Sequence, residues 1–306
     1  MKTKLFILCA FVFVPAVLVA HAAPTLTARL APPTPTPLRE FVVIAGGDTR
    51  GGCNTAAKQT ADLLDTFPSD TLILHIGDMT DRGTPGEFND CYDATWGRHK
   101  SQHRPVPGTH EYYTPGASGY WDYFGALAGA RDQGYYSFNV GAWHIVALNS
   151  EIDHSVSSAQ VQWLKTDLVA NLSQCILAYW HNPRFSSGAR HGSDPSVAPF
   201  WDALDAARAD VVFHGHEHNY ERFAKQNPSG APDANGIRQF VIGTGGAPLY
   251  SSFRTPLANS EVRDGITYGI VKFTLRAGSY DWQFIPVAGQ TFTDSGTTQC
   301  NPKPNR

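Results

Sequence analysis

The sequence predicts an α/β (α+β) domain arranged as a four-layer αββα sandwich, two mixed β-sheets packed together and flanked by helices. Three observations carry this expectation. Apolar runs at 41–45 (FVVIA), 71–76 (TLILHI), 175–180 (CILAYW) and 211–213 (VVF) are short, nearly continuous and rich in β-branched or aromatic residues, as strands buried on both faces are. Helical patterning separates them, most clearly at 54–67, where Ala57, Ala61, Leu64 and Phe67 share one face. The last third is β-rich, with strand patterning at 239–242, 269–275 and 280–287 between Gly-rich turns.

The chain opens on Lys2 and Lys4, an apolar stretch from Leu5 to Ala20 and the small-x-small step Ala20-His21-Ala22, the make-up of a cleaved signal peptide over 1–22. That stretch is shorter than the roughly 20 residues a bilayer requires, and Pro15 interrupts it, so no stable membrane anchor is expected. Residues 23–38 read as a Pro/Thr-rich linker, extended by Pro32, Pro33, Pro35 and Pro37. One large domain is expected over 39–298 and a short C-terminal tail over 299–306. A net charge of −3 argues against nucleic-acid binding and against a polybasic membrane-surface role.

Past the signal, Cys53, Cys91, Cys175 and Cys300 remain. In an exported chain an even number suggests two disulfides, with three connectivities open. Cys53–Cys91 with Cys175–Cys300 is preferred: the first pair follows two neighbouring motif loops, and the second would tie the tail to a central strand. A cysteine metal site has no C-x-x-C spacing behind it. The expected location is outside the cell or in the periplasm.

Taken in order, the strand at 41–45 ends in Gly46-Gly47-Asp48-Thr49-Arg50, and the strand at 71–76 ends in Gly77-Asp78-Met79-Thr80-Asp81. With the 54–67 helix between them, they imply a parallel β-α-β unit. Both aspartates then lie at the carboxyl edge of one sheet, where α/β proteins place their chemistry. A helical stretch near 87–96 leads to the loop Pro105-Val106-Pro107-Gly108-Thr109-His110-Glu111. Residues 135–148 give a hairpin about Gly141-Ala142. Residues 157–168 give a helix with a capping box, Ser157 at N-cap and Gln160 at N3. The strand at 175–180 ends in His181-Asn182-Pro183. A helix at 195–209, burying Phe200, Trp201 and Leu204, leads into the strand at 211–213 and then His214-Gly215-His216-Glu217-His218, where Gly215 allows a backbone bend.

Asp48, Asp78, His181, His216 and His218 thus each follow a strand or its terminal glycine. Carboxylate oxygens and imidazole nitrogens suit zinc, iron and manganese. One aspartate can bridge two ions, and ions roughly 3.5–4 Å apart clamp the attacking and leaving oxygens of phosphoryl transfer, with a bridging water as nucleophile. His110, on a loop converging on the same edge, can protonate the leaving alkoxide or bind a phosphate oxygen.

The pattern resembles the calcineurin-like metallophosphoesterases, and within them the purple acid phosphatase branch, whose motifs run Gly-Asp-x-Gly, Gly-Asp-x-x-Tyr, Gly-Asn-His-Glu, a strand-end His and Gly-His-x-His. The resemblance spans about residues 41–220. It implies two metal ions (Fe, Zn or Mn), the first held by Asp48, Asp78 and His218 and the second by Asp78, His181 and His216. It also implies a phosphate-facing role for His110 and for His191. The activity implied is hydrolysis of small-molecule phosphate monoesters, with diesters or nucleotides as the alternative on the same site.

Three departures qualify it. Asp81 stands where the branch has its tyrosinate, so the purple colour should be absent, and Asp81 either coordinates instead or makes loop hydrogen bonds. Thr109 stands where the branch has an asparagine, so the second metal should bind more weakly or with a water in place of the amide. A phosphoesterase fold that only binds phosphate is the non-enzymatic alternative. Arg50 replaces the last Gly of the first motif; turned inward it grips a phosphate, turned outward it is ordinary surface.

Of the other polar residues, His75 and His144 read as core histidines, and His99, His103 and His154 as solvated. Glu111 and Glu217 read as orienting neighbouring histidines. Tyr220 reads as closing the crevice or simply packing. Asn171-Leu172-Ser173 fits a glycosylation sequon.

Overall fold

The computed structural model describes Met1, residues 40–50 and residues 53–304. The expected signal peptide and linker lie outside the described residues, Met1 apart. The described residues from 40 to 304 belong to one compact unit.

Strands β1 (Phe41–Gly46) and β2 (Leu72–His75) pair in parallel, with helix α1 (Thr55–Leu64) between them in the chain. Asn54 caps α1, its side chain accepting from the Ala57 N–H. β1 also pairs antiparallel with β10 (Gly269–Leu275), which continues through β11 (Ser279–Pro286) to β12 (Ser295–Gln299). This five-stranded sheet has the order β12-β11-β10-β1-β2.

The second sheet has seven strands in the order β3-β4-β5-β6-β8-β7-β9. They are β3 (Tyr136–Val140), β4 (Trp143–Ala147), β5 (Cys175–Tyr179), β6 (Val211–His214), β7 (Tyr220–Phe223), β8 (Arg238–Ile242) and β9 (Ser260–Asp264). β4, β5, β6 and β8 run parallel, and the other pairings are antiparallel.

Alternate side chains of each strand leave on opposite faces, which explains the continuous apolar runs. Val43 and Ala45, Leu74 and Ile76, Ile145 and Ala147, Leu177 and Tyr179, Val211 and Phe213 meet in a core between the sheets. The intervening Val146, Ile176, Ala178 and Val212 pack on α2 (Ala159–Ala170) and α3 (Ala198–Ala206) through Leu164, Phe200, Trp201 and Leu204. Ile44 and Ile73 pack outward on Ala61 and Leu64 of α1 and on Phe88, Tyr92, Trp96 and Phe124. The result is the expected αββα sandwich. Both preferred disulfides are present, Cys53–Cys91 and Cys175–Cys300, with Cα–Cα separations of 4.6 and 5.7 Å. Residues beyond 298 pack onto the domain: β12 runs to Gln299, Asn301 is buried, and Lys303 pairs with Asp210 at 2.7 Å.

Several local expectations are corrected. Ser158, not Ser157, caps α2, accepting from the Val161 N–H; Gln160 instead brackets Asn149 with bonds of 2.7 and 2.9 Å to its backbone. The 87–96 stretch is a π-turn over Phe88–Tyr92 followed by a 3-10 segment at Trp96–Gln102. Tyr220 lies fully buried on β7 in the inter-sheet core, so packing accounts for it.

His103, expected in solvent, is fully buried between Trp96, Tyr92 and Phe124, with Nδ1 donating to the His99 carbonyl oxygen and Nε2 accepting from the Tyr92 hydroxyl. Burial pulls its pKa from 6.5 down to about 4. The unfolded chain therefore binds the extra proton between those values, and stability attached to neutral His103 is lost as pH falls from 6.5 toward 4. That loss should be on the order of 3 kcal/mol. Urea unfolding at pH 7.5 and 4.5 should show a smaller acid loss in His103→Gln than in the wild type; equal losses would refute the assignment.

Candidate metal centre

The centre lies between the two sheets, at the carboxyl ends of parallel strands from each. β1 and β2 deliver Asp48 and Asp78 from one sheet. β5 and β6 deliver His181, His216 and His218 from the other. The loop carrying Gly108, Thr109 and His110 arrives alongside β2, through a parallel bridge between Ile76 and Val106 and a 3.0 Å bond from the Val106 N–H to the His75 carbonyl. Ligand atoms of Asp48, Asp78 and His218 lie within 4.8 Å of one another, as do those of Asp78, His181 and His216. Asp78 belongs to both groups. Asp48 and His181 are fully buried and Asp78 and His218 nearly so.

The backbone is strained here. Asp48, Asp78 and His216 all have positive φ (59°, 52° and 69°), a conformation uncommon outside glycine and typical of functional sites. The bend expected at Gly215 is therefore taken by His216. What Gly215 supplies is room, since a Cβ there would stand 2.5 Å from Asp48 Oδ2; at Gly108 it would stand 2.5 Å from Asp78 Oδ1.

The imidazoles are oriented by backbone carbonyls. His181 Nδ1 donates to the Ile76 oxygen at 2.8 Å, and His218 Nδ1 to the Pro248 oxygen at 2.8 Å. Their Nε2 atoms then face Asp78 Oδ1 at 3.3 Å and Asp48 Oδ1 at 3.6 Å. His181 Nε2 and His216 Nδ1 are buried without a hydrogen-bond partner. Lone pairs facing carboxylates away from water repel unless a cation stands between them, and a metal-ligating histidine is oriented by a carbonyl in this manner. The donor set fits two borderline cations.

The electrostatics agree. Burial pulls His216 down to about 2, helped by the His181 charge, and pulls His218 down to about 4, so both rings stay neutral as ligands must. Burial raises Asp48 well above the carboxylate range. For Asp78, burial also works upward, but the adjacent His181 outweighs it and holds the carboxyl low. His181 is raised in return, burial opposing and Asp78 prevailing, which expresses the same demand for positive charge.

Above the cluster opens a cavity of about 360 Å³ that Arg50, Thr109, His110, His191, His216 and His218 help to line. His110 donates from its backbone N–H to Asp78 Oδ1 at 2.9 Å, while its Nδ1 binds the Asp81 carbonyl at 2.5 Å, leaving Nε2 free of that contact. The His191 ring lies 4.0 Å from that of His216, centroid to centroid. Arg50 faces this cavity and is not ordinary surface; its guanidinium pairs with Asp81 at 3.0 Å. Asp81 stays outside both donor groups, half-exposed and engaged with Arg50. Thr109 lines the same cavity, with the Glu151 carboxyl close to its hydroxyl.

Glu111 and Glu217 bind backbone amides and not imidazoles. Glu111, fully buried, accepts from the N–H groups of Asp78, Met79 and Gly108 at 2.8–2.9 Å. Glu217 accepts from His191 and Gly192 at 2.6 Å each. Residues the motifs did not reveal are Glu151, Arg82, Arg190, Tyr113 and Tyr250, all brought near the site by loops without a recognisable pattern.

A family model described as calcineurin-like phosphoesterase matches residues 41–220. Purple acid phosphatase 15 of Arabidopsis thaliana is 28% identical over 227 residues, 58% of this chain and 40% of that protein. The "Probable inactive purple acid phosphatase 27" of the same plant is 24% identical over 274 residues, 73% of this chain and 42% of that protein. The structure of a purple acid phosphatase from yellow lupin (Lupinus luteus) seeds superposes with a TM-score of 0.73 at 19% identity, covering 87% of this chain and 55% of that one. The chain thus spans about half the length, or less, of these relatives. The matched span is more than half of the chain and includes both aspartates and all three strand-end histidines, so the chain belongs to the calcineurin-like phosphoesterases.

Proposed function

We propose that the chain is an exported hydrolase of small phosphate monoesters that works with two cations of the iron, zinc or manganese type. Asp48, Asp78 and His218 would hold one cation, and Asp78, His181 and His216 the other. The observation that carries this reading is the pair of buried, carbonyl-oriented imidazoles turned on two buried carboxylates. When bound, the cations supply Lewis acidity toward the phosphoryl oxygens and an activated water for in-line attack.

The chain's own residues do the rest. His110, anchored through Nδ1, offers Nε2 to the leaving oxygen and donates its proton there. His191, held by Glu217 through its backbone, faces a non-bridging oxygen. Arg50, fixed by Asp81, adds a guanidinium to the same wall. Asp81 serves this anchoring and not coordination, and with aspartate in the tyrosine position the metal-loaded protein should lack the purple absorption. Export is supported by the two disulfides, which need an oxidising compartment. Metal analysis of protein purified without added ions, paired with aryl phosphate hydrolysis across metals, tests the proposal; two bound cations without turnover would reject it.

Thr109 favours a second reading, a phosphate-binding protein with an impaired second site. Thr109→Asn restores an amide oxygen donor. A gain in kcat of about tenfold or more, with tighter second-metal binding in a calorimetric titration, is expected if the site is a weakened enzyme. No turnover in this variant with both metals bound would favour binding.

A further inference from the structure

Three guanidiniums line the cavity over the Asp/His cluster: Arg50, Arg82 and Arg190. Arg50 is neutralised by Asp81. Among the described residues, neither Arg82 nor Arg190 has a carboxylate within 4.0 Å; Arg104, Arg184, Arg208, Arg254 and Arg263 share that state, but only Arg82 and Arg190 of these line the cavity over the cluster. The two unpaired arginines come from separate loops. Arg82 lies on the Asp81–His110 side and Arg190 beside His191, its guanidinium 5.9 Å from the Tyr250 ring centroid.

Two tyrosines accompany them. Tyr113 packs on His110 with centroids 4.6 Å apart, and Tyr250 stacks on His218 at 4.1 Å. Both line the same cavity, whose volume of about 360 Å³ suits a whole small ligand better than a single phosphoryl group. In a chain of net charge −3, two exposed guanidiniums lining one opening, neither in an ion pair and Arg190 acted on only by the more distant Glu217 carboxylate, give that opening a positive potential. An anion between them is attracted by that potential, and a planar guanidinium matches phosphoryl oxygens in pairs.

We propose that this cavity selects phosphate esters that carry a second phosphoryl group, the distal group gripped by Arg82 and Arg190 while the scissile one sits at the Asp/His cluster. The inference rests on the phosphoesterase reading for its inner half only. The outer half is a binding subsite whose recognition chemistry is two guanidiniums flanked by tyrosines.

The test compares butyl phosphate with butanediol bisphosphate, which differ only by the second phosphoryl group. Wild-type, metal-loaded protein should favour the bisphosphate in kcat/KM, and the ratio of the two constants should fall by about tenfold or more in the Arg82→Ala, Arg190→Ala double variant, about 1.4 kcal/mol of lost discrimination. Arg82→Lys with Arg190→Lys keeps the charges but loses the paired geometry, so an intermediate ratio is expected. Raising salt should erode the wild-type preference. Calorimetric binding of both esters provides the second readout. A ratio equal in wild type and double variant overturns the inference and leaves the monoesterase reading intact. No hydrolysis of either ester, with a bisphosphate binding preference that the double variant loses, rejects the phosphoesterase reading and keeps the subsite.

Discussion

Asp78→Ala should abolish turnover of an aryl phosphate, with kcat reduced by more than about 10³-fold, beyond the loss from deleting a single transition-state donor. The expectation follows from position. Asp78 is the one residue common to both donor groups, with Oδ1 3.3 Å from His181 Nε2, and it accepts the His110 backbone N–H. On the proposed function its loss would remove a ligand from each cation, and it would loosen the loop that carries His110. Metal analysis should report loss of bound metal together with activity. Asp78→Asn, which retains size and a carbonyl oxygen but not the charge, should lose metal affinity with a smaller effect on folding. Undiminished hydrolysis by either variant would end the two-cation mechanism.

Glu111→Ala should be the most destabilising single change at the site, costing about 4 kcal/mol or more, a fall in Tm on the order of 10 °C. Glu111 is fully buried and accepts three short bonds from the Asp78, Met79 and Gly108 N–H groups, with a longer one from Thr80 at 3.4 Å. It therefore ties the loop after β2 to the loop that ends in His110. Truncation orphans at least three buried donors at once, each with its own desolvation penalty. Glu111→Gln keeps one acceptor oxygen but turns an NH2 group toward N–H donors, so an intermediate loss is expected. Thermal unfolding of the metal-free protein separates this effect from metal binding. A Tm within 2 °C of wild type for the alanine variant, set against the roughly 10 °C expected from orphaned donors, would show that water replaces the carboxylate.

The clustered Asp and His residues were legible because strand ends are. A continuous apolar run followed by Gly and a polar ligand type marks where a strand leaves the core, and Asp48, Asp78, His181, His216 and His218 all satisfy that pattern. The disulfide pairing was legible for a related reason, as Cys53 and Cys91 follow neighbouring motif loops. The second-layer roles were not. Glu111 and Glu217 sit beside histidines in sequence, yet their carboxylates go to backbone amides of other loops. His103 lies in a polar stretch, but the 3-10 turn at Trp96–Gln102 carries it into an aromatic cluster.

The sequence by itself determined the layered α/β architecture, the two-sided burial of its strands and the five strand-end Asp and His residues that the fold gathers, because alternation, apolar run length and glycine placement are local properties of the chain. Only the tertiary structure decided that these Asp and His residues come from two different sheets and converge across the seam between them, that Arg50 faces Asp81 in the cavity, and that Arg82 and Arg190 line it with no carboxylate of the described residues within 4.0 Å. The physical reason is that apolar strands carry no mark of which sheet they join, and a loop's charged side chain is placed by partners distant in the chain.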